Sequence, residues 1–342
     1  MKKTKIAING FGRIGRAFFR VAKDSPELEV VAINDIGDIE NIAYLLKYDS
    51  AYGKSDSDIK AGDGVLNVDG KEIKFLSDKN PSDLPWRDLD IDIVVESTGI
   101  FASYEKSKAH LDAGAKRVVV SAPVKDEAPD GIVGQTILMG VNDDGLQTCD
   151  ISSNASCTTN AGSPVMAILS QKIGIEKALL NTIHGYTATQ SLVDGPNKKD
   201  VRKGRAAGVN IIPSTTGAAI ATTKALPELD GKFDGIALRV PVVLGSIADI
   251  TFITKKDTNV DEINKILEDA SKEERWKGIF SVTNEPIVSS DIIGNTHGAV
   301  VDLSFTKVVG GNLVKVLSWY DNEAGYANTL LKHVISSGKY IN

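Results

Sequence analysis

Lys5-Ile6-Ala7-Ile8-Asn9-Gly10-Phe11-Gly12-Arg13-Ile14-Gly15 decides the fold of the first half of the chain. An apolar strand runs into a G-x-G-x-x-G turn, and Ile14 to Ala22 then carries helical periodicity. In that setting Gly10 makes the tight turn, Gly12 lets backbone approach a pyrophosphate, and Gly15 allows close helix–strand packing. The helix N-terminus offers free N–H groups to the diphosphate. Asp35 closes the next strand, Val30 to Ile33, and its carboxylate suits an adenosine ribose diol. It would repel a 2′-phosphate, and Ile36-Gly37 supplies no cation for one, so NAD is expected over NADP.

Working outward, Ile91 to Glu96 and Arg117 to Val120 repeat the buried-strand pattern around a helical segment, Tyr104 to Ala113, closed by Gly114. Alternating strands and helices imply a doubly wound parallel sheet. Ser97-Thr98-Gly99 and Ser121-Ala122-Pro123 follow strands of this kind, where ligands collect. The pattern changes near Ile151. Ile236 to Val240, Ser246 to Thr254, Val300 to Lys307 and Leu313 to Tyr320 read as longer strands, with a helix over Val260 to Ala270. The fold class is therefore α/β: a doubly wound domain plus an α+β domain with a mixed or antiparallel sheet.

Composition narrows the function. The chain has 342 residues, enough for two domains, and a net charge of −6, which argues against nucleic acid or an anionic membrane as the main partner. Asn9, Gly10, Gly12 and Arg13 interrupt any signal-peptide core after Met1-Lys2-Lys3. Two cysteines give no disulfide framework and no zinc spacing, so no metal is expected and a reducing cytoplasm is the simplest location.

Ser153-Asn154-Ala155-Ser156-Cys157-Thr158-Thr159-Asn160 sets one of those cysteines among small polar residues, just before an apolar helical run. At a helix entry, free N–H groups and the dipole favour thiolate, the nucleophilic form. Of four histidines, His184 ends the strand Leu179 to Ile183 and is the best-placed general base. His110 and His333 read as helix surface or packing residues, and His297 as a turn residue. Pro164 should kink the helix after Cys157 or mark its first turn.

These residues resemble those of phosphorylating glyceraldehyde-3-phosphate dehydrogenase, a glycolytic family. The resemblance extends from Ile8–Arg16 through the Ser153–Asn160 octapeptide, Ile211–Ala219 and Arg239-Val240-Pro241 to Trp319–Glu323. It implies a Rossmann NAD-binding domain over 1–155, a catalytic domain over 156–320, and a C-terminal helix within 321–342 (Glu323 to Ser336) returning to the first domain. It makes Cys157 the nucleophile and His184 its base. Thr187 and Arg239 would hold the phosphate of D-glyceraldehyde 3-phosphate, and Ser156, Thr158, Thr216 and Gly217 the attacking inorganic phosphate. Arg13, Ile14, Asp35, Lys79, Thr98 and Ser121 would contact NAD beside the Gly10, Gly12 and Gly15 turn, with Asn322 on the nicotinamide carboxamide. A homotetramer is also implied. Ala161 stands where many members carry a second cysteine. Rival readings are erythrose-4-phosphate dehydrogenase, which uses water as acyl acceptor, a semialdehyde dehydrogenase, and an NAD-sensing or RNA-binding protein using the basic run Lys198–Arg205.

Overall fold

A computed structural model describes residues 2–341. Two compact units divide it: residues up to Ala155 together with those from Leu330 onward, and Ser156–Thr329.

In the first unit, β1 (Thr4–Asn9), α1 (Arg13–Ala22) and β2 (Leu28–Asn34) form the opening βαβ motif. There follow α2 (Ile39–Lys47), a ribbon of β3 (Tyr48–Asp49) and β4 (Gly53–Lys54), then β5 (Ile59–Gly62), β6 (Val65–Val68) and β7 (Lys71–Leu76). After these come β8 (Ile93–Glu96), α3 (Tyr104–Asp112), β9 (Arg117–Val120), β10 (Gly134–Thr136) and β11 (Ile151–Ser153). Nine strands form one sheet in the order β10-β11-β9-β8-β1-β2-β7-β6-β5. The pairs from β10 to β7 are parallel, as the alternating pattern requires, while β5, β6 and β7 add an antiparallel edge. That edge follows from Asp63-Gly64 and Asp69-Gly70, whose positive φ angles make the tight hairpin turns.

Helix α1 buries Ala17, Phe18 and Phe19 against this sheet, each phenyl ring contributing about 2–3 kcal/mol of apolar burial. Trp86 joins Ala7, Ala32 and Val94 in one core cluster, and Tyr104 joins Val118, Val120 and Ile151 in another.

The second unit opens with α4 (Cys157–Lys172) and β12 (Ile175–Gly185), followed by β13 (Ile212–Thr215), α5 (Ala218–Ala225), β14 (Phe233–Val240) and β15 (Ser246–Thr254). It continues through α6 (Val260–Ser271), β16 (Phe280–Thr283), β17 (Ala299–Val309) and β18 (Leu313–Tyr320). Its seven strands order as β13-β14-β12-β15-β18-β17-β16, with the four central strands β14, β12, β15 and β18 including both parallel and antiparallel pairs. Gly162 of α4 lies against Leu180 of β12, so the alternate residues Leu180 and Ile250 face the helix and are buried. The other alternation leaves Leu179, Ile236 and Leu313 exposed.

Helix α7 (Ala324–Gly338) begins in the second unit and ends in the first. Its His333 is fully buried: Nδ1 lies 3.1 Å from Asn154 Oδ1 and Nε2 lies 2.7 Å from Ser152 Oγ. His110, on α3, is equally buried. Of the two expected roles, surface or packing, both residues take packing, and each ring nitrogen meets a polar partner inside the protein. Helix α4 continues through Pro164, so its first turn is at Cys157 and not at the proline.

Candidate active site

Cys157 is the first residue of α4. Ser156 caps that helix: its hydroxyl accepts from Thr159 N at 3.1 Å, and Thr159 Oγ1 accepts from Ser156 N at 3.4 Å. The residue before the cap, Ala155, has φ +54° and is buried, so the chain turns sharply to present Cys157 at the helix entry.

His184 comes from the end of β12, with Nε2 3.4 Å from Cys157 Sγ. Its Nδ1 lies 2.7 Å from the carbonyl of Gly185, which accepts in the tautomer that carries hydrogen on Nδ1 and leaves a lone pair on Nε2 facing the sulfur. Arg239 is the register partner of His184 across β12 and β14, and its guanidinium touches both His184 Nδ1 and the Gly185 carbonyl. Parallel pairing alone brings this cation to the thiol–imidazole pair.

The electrostatics follow from burial. Desolvation, then the Arg239 charge, holds the His184 imidazole down to about 3, so it is neutral at neutral pH and its basicity is reduced until a charge forms beside it. Burial pushes the Cys157 thiol up, against Arg239 and the Thr158 amide, which pull it down. The helix-entry N–H groups of Cys157 and Thr158 pull the thiol down, as expected; burial opposes them, and Arg239 is the largest influence favouring thiolate. Transfer of the proton from Sγ to Nε2 creates two adjacent opposite charges, so the pair titrates as a unit.

The other residues expected in this unit divide. Thr158 Oγ1 is bonded to Tyr320 OH at 2.9 Å and is buried, while Ser156 Oγ is engaged in the cap. Thr216 Oγ1 accepts from Ala218 N at 3.2 Å, and Gly217 caps α5 without a side chain. Thr187 Oγ1 lies 2.9 Å from Thr189 Oγ1. Asn322 is buried and accepts from Ser246 Oγ at 2.9 Å, and the same hydroxyl accepts from Gly185 N at 3.2 Å.

In the first unit, Gly10 has φ +92°, and a Cβ there would sit 2.6 Å from Thr98 N. A Cβ on Gly15 would sit 2.1 Å from the Gly10 carbonyl, whereas nothing lies within 4 Å of one on Gly12. Turn, packing and open approach are thus divided among the three glycines as the motif requires. A cavity of about 410 Å³ is lined by Gly10, Gly12, Asp35, Lys79 and Thr98. Asp35 accepts from Phe11 N at 2.6 Å and Gly37 N at 2.8 Å, which fixes its carboxylate on the glycine turn. The N-terminus of α1 has no side-chain cap, and the open backbone at Gly12 beside it fits a diphosphate. Arg13 pairs with Asp49 at 3.3 Å, Ile14 lies in the first turn of α1, and Ser121 N donates to the Glu96 carbonyl at 2.8 Å. None of these three lines the cavity.

Family models match both regions: glyceraldehyde 3-phosphate dehydrogenase, NAD binding domain, over residues 4–104, and the C-terminal domain of the same enzyme over 156–322. The chain belongs to the glyceraldehyde 3-phosphate dehydrogenase family. Proteins of that name from Streptomyces coelicolor and Thermotoga maritima are 45% and 49% identical to it, over 98% and 96% of this chain and 99% and 97% of their own. The one from Clostridium pasteurianum is 46% identical over 96% of this chain and 97% of its own length.

Several residues in this family's site carry no signal that sequence reasoning picks out. The Tyr320 ring meets His184 edge-on at 5.9 Å between centroids, and its hydroxyl joins Thr158 to Thr182 at 2.9 and 2.7 Å. Ser246, which orients Asn322, has no local sequence signal, because its role arises from strand pairing. Ile36, Ile100 and Phe101 line the cavity beside the glycine turn, and apolar residues at the βα turns after β2 and β8 are the sequence signal that could have revealed Ile36 and Ile100, both exposed.

Proposed function

We propose that the chain catalyses NAD-dependent oxidative phosphorylation of D-glyceraldehyde 3-phosphate to 1,3-bisphosphoglycerate. The observation that carries this reading is Cys157 Sγ at a helix entry, 3.4 Å from a neutral His184 Nε2 and beside Arg239. Residues 1–155, with the C-terminal helix in 321–342, act as the NAD-binding domain and 156–320 as the catalytic domain.

Cys157 Sγ attacks the aldehyde carbon while His184 Nε2 takes the thiol proton and passes it to the former carbonyl oxygen, giving a hemithioacetal and restoring the neutral imidazole. His184 then accepts the hemithioacetal O–H proton as the carbonyl re-forms and a hydride leaves the same carbon. NAD, when bound, supplies the acceptor for that hydride. The product is a thioester on Cys157, which conserves the oxidation energy. A phosphate oxygen attacks the acyl carbon, the C–S bond breaks, and the acyl phosphate departs from a Cys157 thiolate that Arg239 stabilises. Arg239 and Thr187 hold the substrate phosphate, since a guanidinium binds two oxygens at once. The capped turn Ser156–Thr158 and the segment Thr216-Gly217 receive inorganic phosphate, and Asn322 takes the nicotinamide carboxamide. Arg13, Ile14 and Ser121 complete the NAD contacts.

The protein acts as a homotetramer in the cytoplasm. The apolar sheet face bearing Leu179, Ile236 and Leu313 supports self-association, and two free cysteines support a reducing compartment. Among the described residues no helix is long and apolar enough to cross a membrane.

NADH formation from glyceraldehyde 3-phosphate, followed by absorbance with and without inorganic phosphate, tests the proposal. Fast, phosphate-dependent turnover that iodoacetamide abolishes is the expected result. Equal rates without phosphate would move the assignment to a hydrolytic relative such as erythrose-4-phosphate dehydrogenase.

A further inference from the structure

We propose that Glu96 is a positioning residue for NAD, acting through a hydrogen-bonded row across the carboxyl ends of β2, β1 and β8. The inference rests on the reading that the first unit binds NAD. Asn34, Asn9 and Glu96 are the last residues of those three strands and are register partners, Asn9 with Asn34 and Asn9 with Glu96. Each is followed by a residue of the cavity wall or its turn: Asp35, Gly10 and Ser97. All three are buried.

Four donors converge on the Glu96 carboxylate. Asn9 Nδ2 and His110 Nε2 reach Oε2 at 2.6 and 3.2 Å, and Thr98 N reaches Oε1 at 2.8 Å beside the Thr98 hydroxyl. Trp86 Nε1 donates to His110 Nδ1 at 3.0 Å, which fixes the hydrogen of that imidazole on Nε2, facing Glu96. With four donors around two oxygens, the carboxyl group serves as an acceptor only.

From Glu96 the row extends into both cavity walls. Thr98 Oγ1 accepts from Ile100 N at 3.0 Å, which holds the loop that carries Ile100 and Phe101. On the other side Asn34 Nδ2 donates to Asn9 Oδ1 at 2.7 Å and to the Asp78 carbonyl at 2.9 Å, and Asp78 N returns to Asn34 Oδ1 at 2.9 Å. Thr98 backbone also lies where a Cβ on Gly10 would be, so the height of this loop sets the glycine turn. A buried, fully satisfied network of this kind rigidifies what it joins.

The test is NAD affinity by calorimetry, with circular dichroism to establish folding. Glu96→Gln keeps the shape but sets an amide N–H₂ against a donor whichever way it turns, Asn9 Nδ2 and His110 Nε2 at one oxygen position or Thr98 N at the other. Its Kd and KM for NAD should rise about tenfold, with kcat changing less. Trp86→Phe removes the donor that fixes His110 together with part of a core ring, away from the cavity, and should raise Kd about threefold. The double variant Asn9→Asp, Glu96→Gln moves the carboxylate one strand over. The aspartate on β1 then accepts from His110, Asn34 and the glutamine amide on β8, while the carbonyl of that glutamine serves Thr98, so NAD affinity should recover. Folded Glu96→Gln with wild-type NAD affinity overturns the proposal, whatever happens to its melting temperature. If Glu96→Gln does not fold, wild-type affinity in Trp86→Phe overturns it. Failure of the unsubstituted protein to bind NAD would instead refute the cofactor reading itself.

Discussion

Replacing His333 by glutamine should change how stability responds to acid. Desolvation holds the buried His333 imidazole down to about 3, from 6.5 when exposed. Below pH 6.5 the unfolded chain therefore takes up a proton that the folded one refuses, so stability is complete above 6.5 and is lost as pH falls toward 3. Linkage between these two values removes about 2 kcal/mol by pH 5 and about 3 kcal/mol by pH 4. Glutamine keeps at most part of the contacts to Asn154 and Ser152, which costs about 1–2 kcal/mol at every pH. Wild type should thus be the more stable protein at pH 8, and the two should converge or cross near pH 5. Urea unfolding without NAD, at one protein concentration and at pH 8, 6 and 5, measures the difference. His184 contributes equally to both proteins and cancels. A stability gap that stays constant from pH 8 to 5 would refute the claim that His333 is buried in its neutral form.

Three further outcomes follow from the site. Cys157→Ser should lower turnover by about three orders of magnitude or more while NAD affinity, measured by calorimetry, stays within about tenfold, because the serine hydroxyl is the weaker nucleophile. Arg239→Leu should raise KM for glyceraldehyde 3-phosphate at least about tenfold and slow iodoacetamide alkylation of Cys157 at pH 7, since Arg239 is the main charge favouring the thiolate. Unchanged alkylation would remove it from the electrostatics of the thiol. Gly10→Ala should abolish measurable NAD binding, because a methyl group would meet Thr98 N at 2.6 Å and the backbone is held at φ +92°; a Kd near that of wild type would contradict this turn geometry.

Much of the first unit is legible in the sequence because its signals are local. A glycine turn, a capping serine and alternating apolar runs each constrain only a few residues of backbone. Helix α2 and the β5–β7 edge are not read from that pattern, although Asp63-Gly64 and Asp69-Gly70 are hairpin signals, because βαβ alternation leaves no place for antiparallel strands. For His110 and His333 the sequence leaves surface and packing open, because helical periodicity does not give the polar groups that meet a buried ring.

The sequence by itself determined that a strand–glycine–helix unit with an acidic strand end would bind a dinucleotide, and that a thiol would stand at a helix entry. Those features are set by φ angles and helix ends within about ten residues, and they hold wherever the segment lies. The tertiary structure decided which base meets the thiol across 27 residues, which cation stands beside them, and which way each charge is biased. Strand order and register fix those distances, and they bring Arg239, the largest influence favouring thiolate, to Cys157.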